Sequence, residues 1–145
     1  MPTARRTRTL RATPDAVWRI VGDPNHLSRY WPKVERVEGA DGAGFTKVFL
    51  TKNGRAVRAD FAVVEADGAG RTRRWAQAIE DTPFERVLVS SEEVARVEPA
   101  DGGAAQLTLE TRQKLRGLGK LGGFLAKRGA LKQLDEALDG LERLL

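Results

Sequence analysis

Between residues 33 and 115, apolar and polar side chains alternate in short runs, and each run ends at a cluster of turn residues. Alternation with period two turns one side of each run into a core and the other into water, the signature of strands rather than helices. The pattern predicts strands over 33–38, 45–52, 55–65, 72–80, 86–98 and 105–115. The breaks are Gly39-Ala40-Asp41-Gly42, Asn53-Gly54, Asp67-Gly68-Ala69-Gly70, Asp81-Thr82-Pro83 and Asp101-Gly102-Gly103. Asn53-Gly54 is the sharpest, because both residues tolerate the positive φ that a two-residue hairpin turn demands. Connections this short imply an antiparallel meander.

The two ends of the chain follow other rules. Arginine and threonine alternate up to Leu10, which suits a short first strand over 5–12. Thr13-Pro14-Asp15 then opens a helix: Thr13 caps it, Pro14 fits the first helical position, and Asp15 favours the positive end of the helix dipole. Val17, Trp18 and Val21 supply its apolar stripe and Gly22 stops it. Asp23-Pro24 starts a second short helix in the same way, and Pro32 terminates that one just after Tyr30-Trp31. After Leu115 come Gly117, Gly119, Gly122 and Gly123, read as a flexible hinge for a helix that runs to the end. Along it Phe124, Leu131, Leu138 and Leu145 recur every seven residues, with Leu134 and Leu141 between them, giving one broad apolar face. A sheet and one long amphipathic helix bury their apolar faces economically when the helix lies across the concave side of the sheet.

This order of elements resembles the helix-grip fold of the START and Bet v 1-like (SRPBCC) superfamily, and within it the bacterial polyketide cyclase/dehydrase-like group. The residues that carry the resemblance are Ala12-Thr13-Pro14-Asp15-Ala16-Val17-Trp18 at the first strand-helix junction and Asp23-Pro24 through Tyr30-Trp31-Pro32 at the second helix. Gly102-Gly103 before the last strand and the C-terminal Leu131 to Leu145 helix complete it. The resemblance spans essentially the whole chain and implies one α+β helix-grip domain over 1–145. In that fold a curved antiparallel sheet of about seven strands wraps around a long C-terminal helix, with two short helices after strand one. It also implies a cavity between sheet and helix, used across the family for lipids, hormones, polyketides or quinones, with catalysis the minority use. No motif here carries the ring-closing roles of the cyclase members onto particular residues, so catalytic residues stay unassigned.

Composition narrows the chemistry. A chain of 145 residues, 41% hydrophobic and 31% charged, is ordinary for one globular core. It has no cysteine and a lone His26, so disulfides, thiolate ligands and an imidazole metal site are not expected, and no cofactor is called for. No apolar run approaches the roughly 20 residues needed to span a bilayer, and no signal peptide is recognisable, so a cytoplasmic protein is expected.

The net charge of +5 is unevenly spread: residues 111–134 hold seven Lys or Arg and no acid, and the last eleven residues reverse the sign. Arg112, Lys114, Arg116, Lys120, Lys127, Arg128 and Lys132 would form one patch with Arg5, Arg6, Arg8 and Arg11, given that first and last strands pair in the family. That patch is either a solvated basic face or a weak contact for an anionic membrane. Nucleic acid is disfavoured, because the run contains only Phe124 as an aromatic and its spacing assigns it to the core.

Candidate site residues follow from strand parity and helix phase. Phe49, Phe61 and Trp75 form either ordinary core or an aromatic wall for a planar ligand. Arg73 and Gln77 share parity with Trp75, so an inward indole brings both polar groups inward. A buried Arg73 would then need a carboxylate, for which Glu93 on the adjacent strand is the candidate, or an anionic ligand group; otherwise it sits at the strand end in water. On the long helix, Phe124 and Leu131 are judged like the sheet aromatics, and Arg128 between them either anchors an anion at the cavity mouth or snorkels. His26, Tyr30 and Asp23 gather on the second short helix, where an acid–base role and a plain surface role are both open. Glu92-Glu93 and Asp135-Glu136 diverge and form no carboxylate dyad, and Gly117 to Gly123 lacks the Gly-Lys-Ser/Thr order of a phosphate loop.

Three functions compete. The first is binding or carriage of an apolar small molecule, such as a lipid, quinone or polyketide. The second is a polyketide cyclase or aromatase kind of enzyme, which needs Arg73, Tyr30 or His26 in the cavity. The third is a surface-binding protein that uses the basic patch for a membrane or nucleic acid.

Overall fold

The computed structural model describes residues 3–117 and 119–145. The chain runs β1 (Thr3–Leu10), α1 (Pro14–Val21), a 3-10 turn (Pro24–His26), α2 (Leu27–Tyr30), β2 (Val34–Glu38), β3 (Gly44–Leu50), β4 (Ala56–Asp67), β5 (Thr72–Gln77), β6 (Leu88–Pro99), β7 (Ala105–Leu115) and α3 (Lys120–Leu144). All seven strands join one antiparallel sheet in the order β1-β7-β6-β5-β4-β3-β2. This is the helix-grip fold: the curved sheet holds α3, with the short helices inserted after β1.

The local chemistry explains where elements begin and end. The Thr13 hydroxyl accepts the Ala16 N–H at 3.2 Å and starts α1, and Asp23 Oδ1 accepts the Asn25 N–H at 2.9 Å to start the next turn. The second short helix is only half α-helical, because Pro24–His26 is wound as a 3-10 turn before Leu27–Tyr30. The Asn53-Gly54 hairpin has a three-residue loop rather than the expected two. Gly54 N–H donates to Thr51 O and Thr51 N–H to Arg55 O, both at 2.9 Å, with Gly54 alone left-handed at φ +74°. That is a type I turn closed by a glycine bulge, which asks a positive φ of the glycine only.

The long helix starts earlier than its apolar repeat predicts, so Gly122 and Gly123 lie inside α3 instead of in a hinge before it; Leu118 lies outside the described residues. Its C-terminal half is the part that grips. Leu134, Ala137, Leu138 and Leu141 are fully buried in the core with Leu10, Val17, Val21, Leu27 and Leu107. Gly140 lets α2 and α3 touch, since a Cβ there would stand 2.7 Å from the Tyr30 carbonyl oxygen. Ion pairs from β1 hold the same half: Arg6 to Asp135 at 3.0 Å, and Arg8 to Asp139 and Glu142 at 2.8 and 2.9 Å.

The N-terminal half of α3 behaves differently, and Phe124 is 61% exposed where its spacing predicts burial. A heptad repeat drifts by about 20° per seven residues around a straight helix, and Phe124 stands two heptads before Leu138. The positions in phase with Leu134, Ala137 and Leu141 are instead Gly119, Gly123, Ala126 and Ala130, all small. The helix therefore presents leucines to the core at one end and little side-chain volume to the sheet at the other.

Candidate functional site

The inward row of β3 reads Phe45, Lys47, Phe49, and that of β5 reads Arg73, Trp75, Gln77. Phe45 stacks on Phe61 of β4 with centroids 5.3 Å apart, and meets Trp75 edge-on at 4.7 Å. The Lys47 ammonium lies 4.7 Å from the rings of both Trp31 and Phe61, and pairs with Glu93 Oε1 of β6 at 2.5 Å. β3 and β6 are three strand spacings apart, about 14 Å on a flat sheet. The pair closes because the sheet curls and because Ala59, opposite Lys47 in the register, is small.

Arg73 is buried as well, stacked 3.6 Å over the Trp75 ring. Its Nε donates to Val21 O at 3.1 Å, capping the last turn of α1, and its Nη1 donates to the backbone carbonyl of Glu93 at 3.2 Å. The strand-end reading in water is thereby excluded for Arg73, and the Glu93 carboxylate is not its partner. Glu93 stands opposite Trp75 in the register, whereas Arg73 stands opposite Ala95, so the carboxylate is left to Lys47. Among the described residues three buried side-chain polar atoms have no partner: Tyr30 Oη, Arg73 Nη2 and Glu93 Oε2. Unpartnered polar atoms are rare in native cores, and of these three residues Glu93 alone lines the chamber described below.

Electrostatics follow from burial. Loss of water pushes the Lys47 ammonium below its ordinary pKa, with the Glu93 carboxylate pulling the other way. Burial likewise raises the Tyr30 phenol to about 12, against the opposing charge of Arg73. Tyr30 is the only tyrosine in the chain, so its titration is directly readable. In the near-ultraviolet, tyrosinate is expected to appear with a midpoint near 12 in the folded protein and near 10 in urea. Between these values the unfolded chain releases a proton that the folded one keeps, so stability falls by up to about 1.4 kcal/mol per pH unit as pH rises from 10 towards 12. A midpoint near 10 in the folded state would contradict the burial of Tyr30.

A chamber of about 120 Å³ opens beside the Lys47–Glu93 pair, lined by Trp31, Phe49, Ala59, Phe61, Gln77, Phe84, Ser91, Thr111, Gln113 and Gln133. Gln113 and Gln133 also line a groove of about 470 Å³ that runs under α3 past Ala126, Gly129 and Ala130 to Pro32 and Lys33. Chamber and groove thus share these two glutamines in their linings, and α3 contributes Ala126, Gly129, Ala130, Lys132 and Glu136 to the groove.

Residues 1–145 match the family described as polyketide cyclase / dehydrase and lipid transport. The chain belongs to that family. No curated protein matches it. Among solved structures of the same fold is the di-domain ARO/CYC BexL from the BE-7585A biosynthetic pathway, 21% identical with a TM-score of 0.80 over 99% of this chain and 46% of that one. A protein from Thermus thermophilus is 23% identical with a TM-score of 0.74, over 98% of this chain and 95% of that one. A START superfamily protein from Mycobacterium smegmatis is 13% identical with a TM-score of 0.74, over 97% and 94% respectively. At these identities the shared feature is the fold.

Against this family frame the residues singled out from sequence separate into three groups. Phe49, Phe61 and Gln77 line the chamber. Arg73 and Trp75 lie in the core beside it. Phe124, Arg128 and Leu131 are outside it: Phe124 is exposed, while Arg128 and Leu131 line an outer groove with Arg6, Leu125, Lys132 and Asp135. Sequence reasoning missed Lys47, whose signal was the parity used for Arg73: a charged residue in the same row as inward aromatics of its strand, here Phe45 and Phe49. It also missed Trp31, Phe84, Ser91, Thr111, Gln113 and Gln133, which come together only by folding. His26 is partly exposed, with Nδ1 3.1 Å from Arg29 and Nε2 3.8 Å from Asp23, and does not line the chamber. No helix is long and apolar enough to cross a membrane among the described residues.

Proposed function

We propose that the protein binds a small molecule with a flat apolar body and a hydroxyl-bearing end, holding the end in the chamber and the body in the groove under α3. The observation that carries this reading is a chamber whose lining combines the Phe49, Phe61 and Trp31 rings with Glu93, a carboxylate that has one paired and one unpaired oxygen. Ligand pockets usually measure about 300 to 1,000 Å³. The chamber at about 120 Å³ takes one ring or a head group, and the groove at about 470 Å³ takes the remainder. A neutral hydroxyl suits the site better than a carboxylate, because Lys47 is already matched and an added anion would face Glu93.

Quenching of tryptophan fluorescence by a hydroxylated polycyclic aromatic and by its methyl ether tests the reading. The free hydroxyl is expected to bind roughly tenfold tighter, the worth of one hydrogen bond to a charged group. Ala130→Phe, which fills the groove from α3, is expected to remove binding of both compounds while leaving the fold intact. Equal affinity for the two, or unaltered binding by Ala130→Phe, would sink the idea.

A cyclase kind of activity is favoured by one specific observation, the ammonium of Lys47 held among aromatics with Glu93 beside it. Such a pair can stabilise an enolate oxygen and exchange a proton with its carbon. A poly-β-keto thioester incubated with the protein would then yield ring products absent from buffer alone; identical products in both would remove this reading.

A further inference from the structure

Leu121, Phe124 and Leu125 are 71%, 61% and 54% exposed, an unusual cost for three large apolar side chains in neighbouring turns. With Arg128 and Lys132 they occupy positions i, i+3, i+4, i+7 and i+11 of α3, so all five share one stripe along the helix. That stripe faces away from the core, because the residues that pack inward, Leu134, Ala137, Leu138 and Leu141, are on the opposite side. The helix is thus amphipathic twice: inward at its C-terminal half and outward at its N-terminal half.

Charge identifies what the outer stripe fits. No acid occurs between residues 111 and 134. Of the four acids that follow, Asp135 is engaged by Arg6 and both Asp139 and Glu142 by Arg8, while Glu136 shares the lining of the groove beside α3 with Lys132 and forms no ion pair among the described residues. Arg128 and Lys132 have no ion-pair partner among the described residues and continue the apolar ridge with positive charge, while Lys127, likewise without an ion pair, stands a third of a turn aside. We infer that this stripe docks on an anionic lipid surface, with Leu121, Phe124 and Leu125 in the head-group boundary and the cations on the lipid phosphates. Shallow apolar insertion flanked by Lys and Arg is the physical basis of interfacial helix binding. A second copy of the chain fits less well, since a two-fold contact through this stripe would gather Arg128 and Lys132 of both copies at one interface with no acid of the stripe to offset them.

Flotation with phosphatidylcholine vesicles, with and without phosphatidylglycerol, tests the inference independently of any cavity ligand. Binding is expected only to the vesicles containing phosphatidylglycerol. It should weaken steeply from about 0.01 to about 0.15 M salt, as the Debye length falls from about 30 to about 8 Å. Arg128→Gln and Lys132→Gln should each weaken it by roughly fivefold. Phe124→Ser should abolish most of it without lowering the melting temperature, because the side chain is exposed. The chain has no cysteine, so Leu125→Cys carrying a polarity-sensitive dye gives a second readout, a blue shift on the anionic vesicles. The inference is overturned by absence of binding at low salt or by unchanged binding of Phe124→Ser. Self-association, or oligonucleotide binding, that Phe124→Ser removes in place of vesicle binding would overturn it equally.

Discussion

Lys47→Met is expected to lower the free energy of unfolding by about 3 to 5 kcal/mol, although methionine is the better core residue by hydrophobicity. The substitution leaves the Glu93 carboxylate buried with neither oxygen paired to a cation. Glu93→Leu strands the Lys47 ammonium in the same way and should cost a similar amount. The double variant Lys47→Met/Glu93→Leu removes both charges together and is expected to recover most of the loss, because a buried pair contributes little beyond the penalty of breaking it. Urea denaturation of the four proteins closes a double-mutant cycle. Additive losses would mean that the two side chains do not depend on one another, and the account of the site would fail.

The second large effect falls on Trp75. Trp75→Ala is expected to cost about 3 to 5 kcal/mol, the range for emptying a large aromatic site in a packed core. Trp75 is fully enclosed, edge-on to Phe45 and face-on to Arg73, so its removal leaves a cavity and takes the stacking surface from a buried guanidinium. Each kcal/mol corresponds to roughly 2 to 4 °C in a domain of this size, so the melting temperature should drop by roughly 10 °C or more. Trp75→Phe keeps a ring in contact with Phe45 and should lose much less. If the two variants melted together, the contacts of the indole with Arg73 and Phe45 would not be what stabilises this face.

Both effects concern residues that strand parity can find: Trp75 is singled out by it, and Lys47 is not. The alternation Arg73, Trp75, Gln77 left an arginine either indoors or at the strand end in water; the alternation Phe45, Lys47, Phe49 posed the same choice for Lys47. The carboxylate assignment was out of reach for parity, because it depends on curvature. A flat sheet would keep β3 and β6 about 14 Å apart and leave Glu93 to a neighbour. The reading of α3 failed at its start for a simpler reason. A seven-residue repeat names a stripe, but the stripe drifts around a straight helix, so only the half that begins near Leu134 stays against the core. The small residues Gly123, Ala126 and Ala130 mark the true inner face and were visible in the sequence without being recognised.

The helix-grip layout was determined by the sequence alone, because strand alternation, turn glycines, the Thr13 and Asp23 caps and the C-terminal leucines are local signals with local causes. Tertiary structure alone decided that Lys47 meets Glu93, that Arg73 caps α1 by bonding to Val21, and that a chamber exists beside them. Those outcomes depend on how far the sheet curls and how closely α3 is held to β1 and α2. Neither is set by any one segment: curvature and stand-off are sums over many contacts between residues distant in the chain.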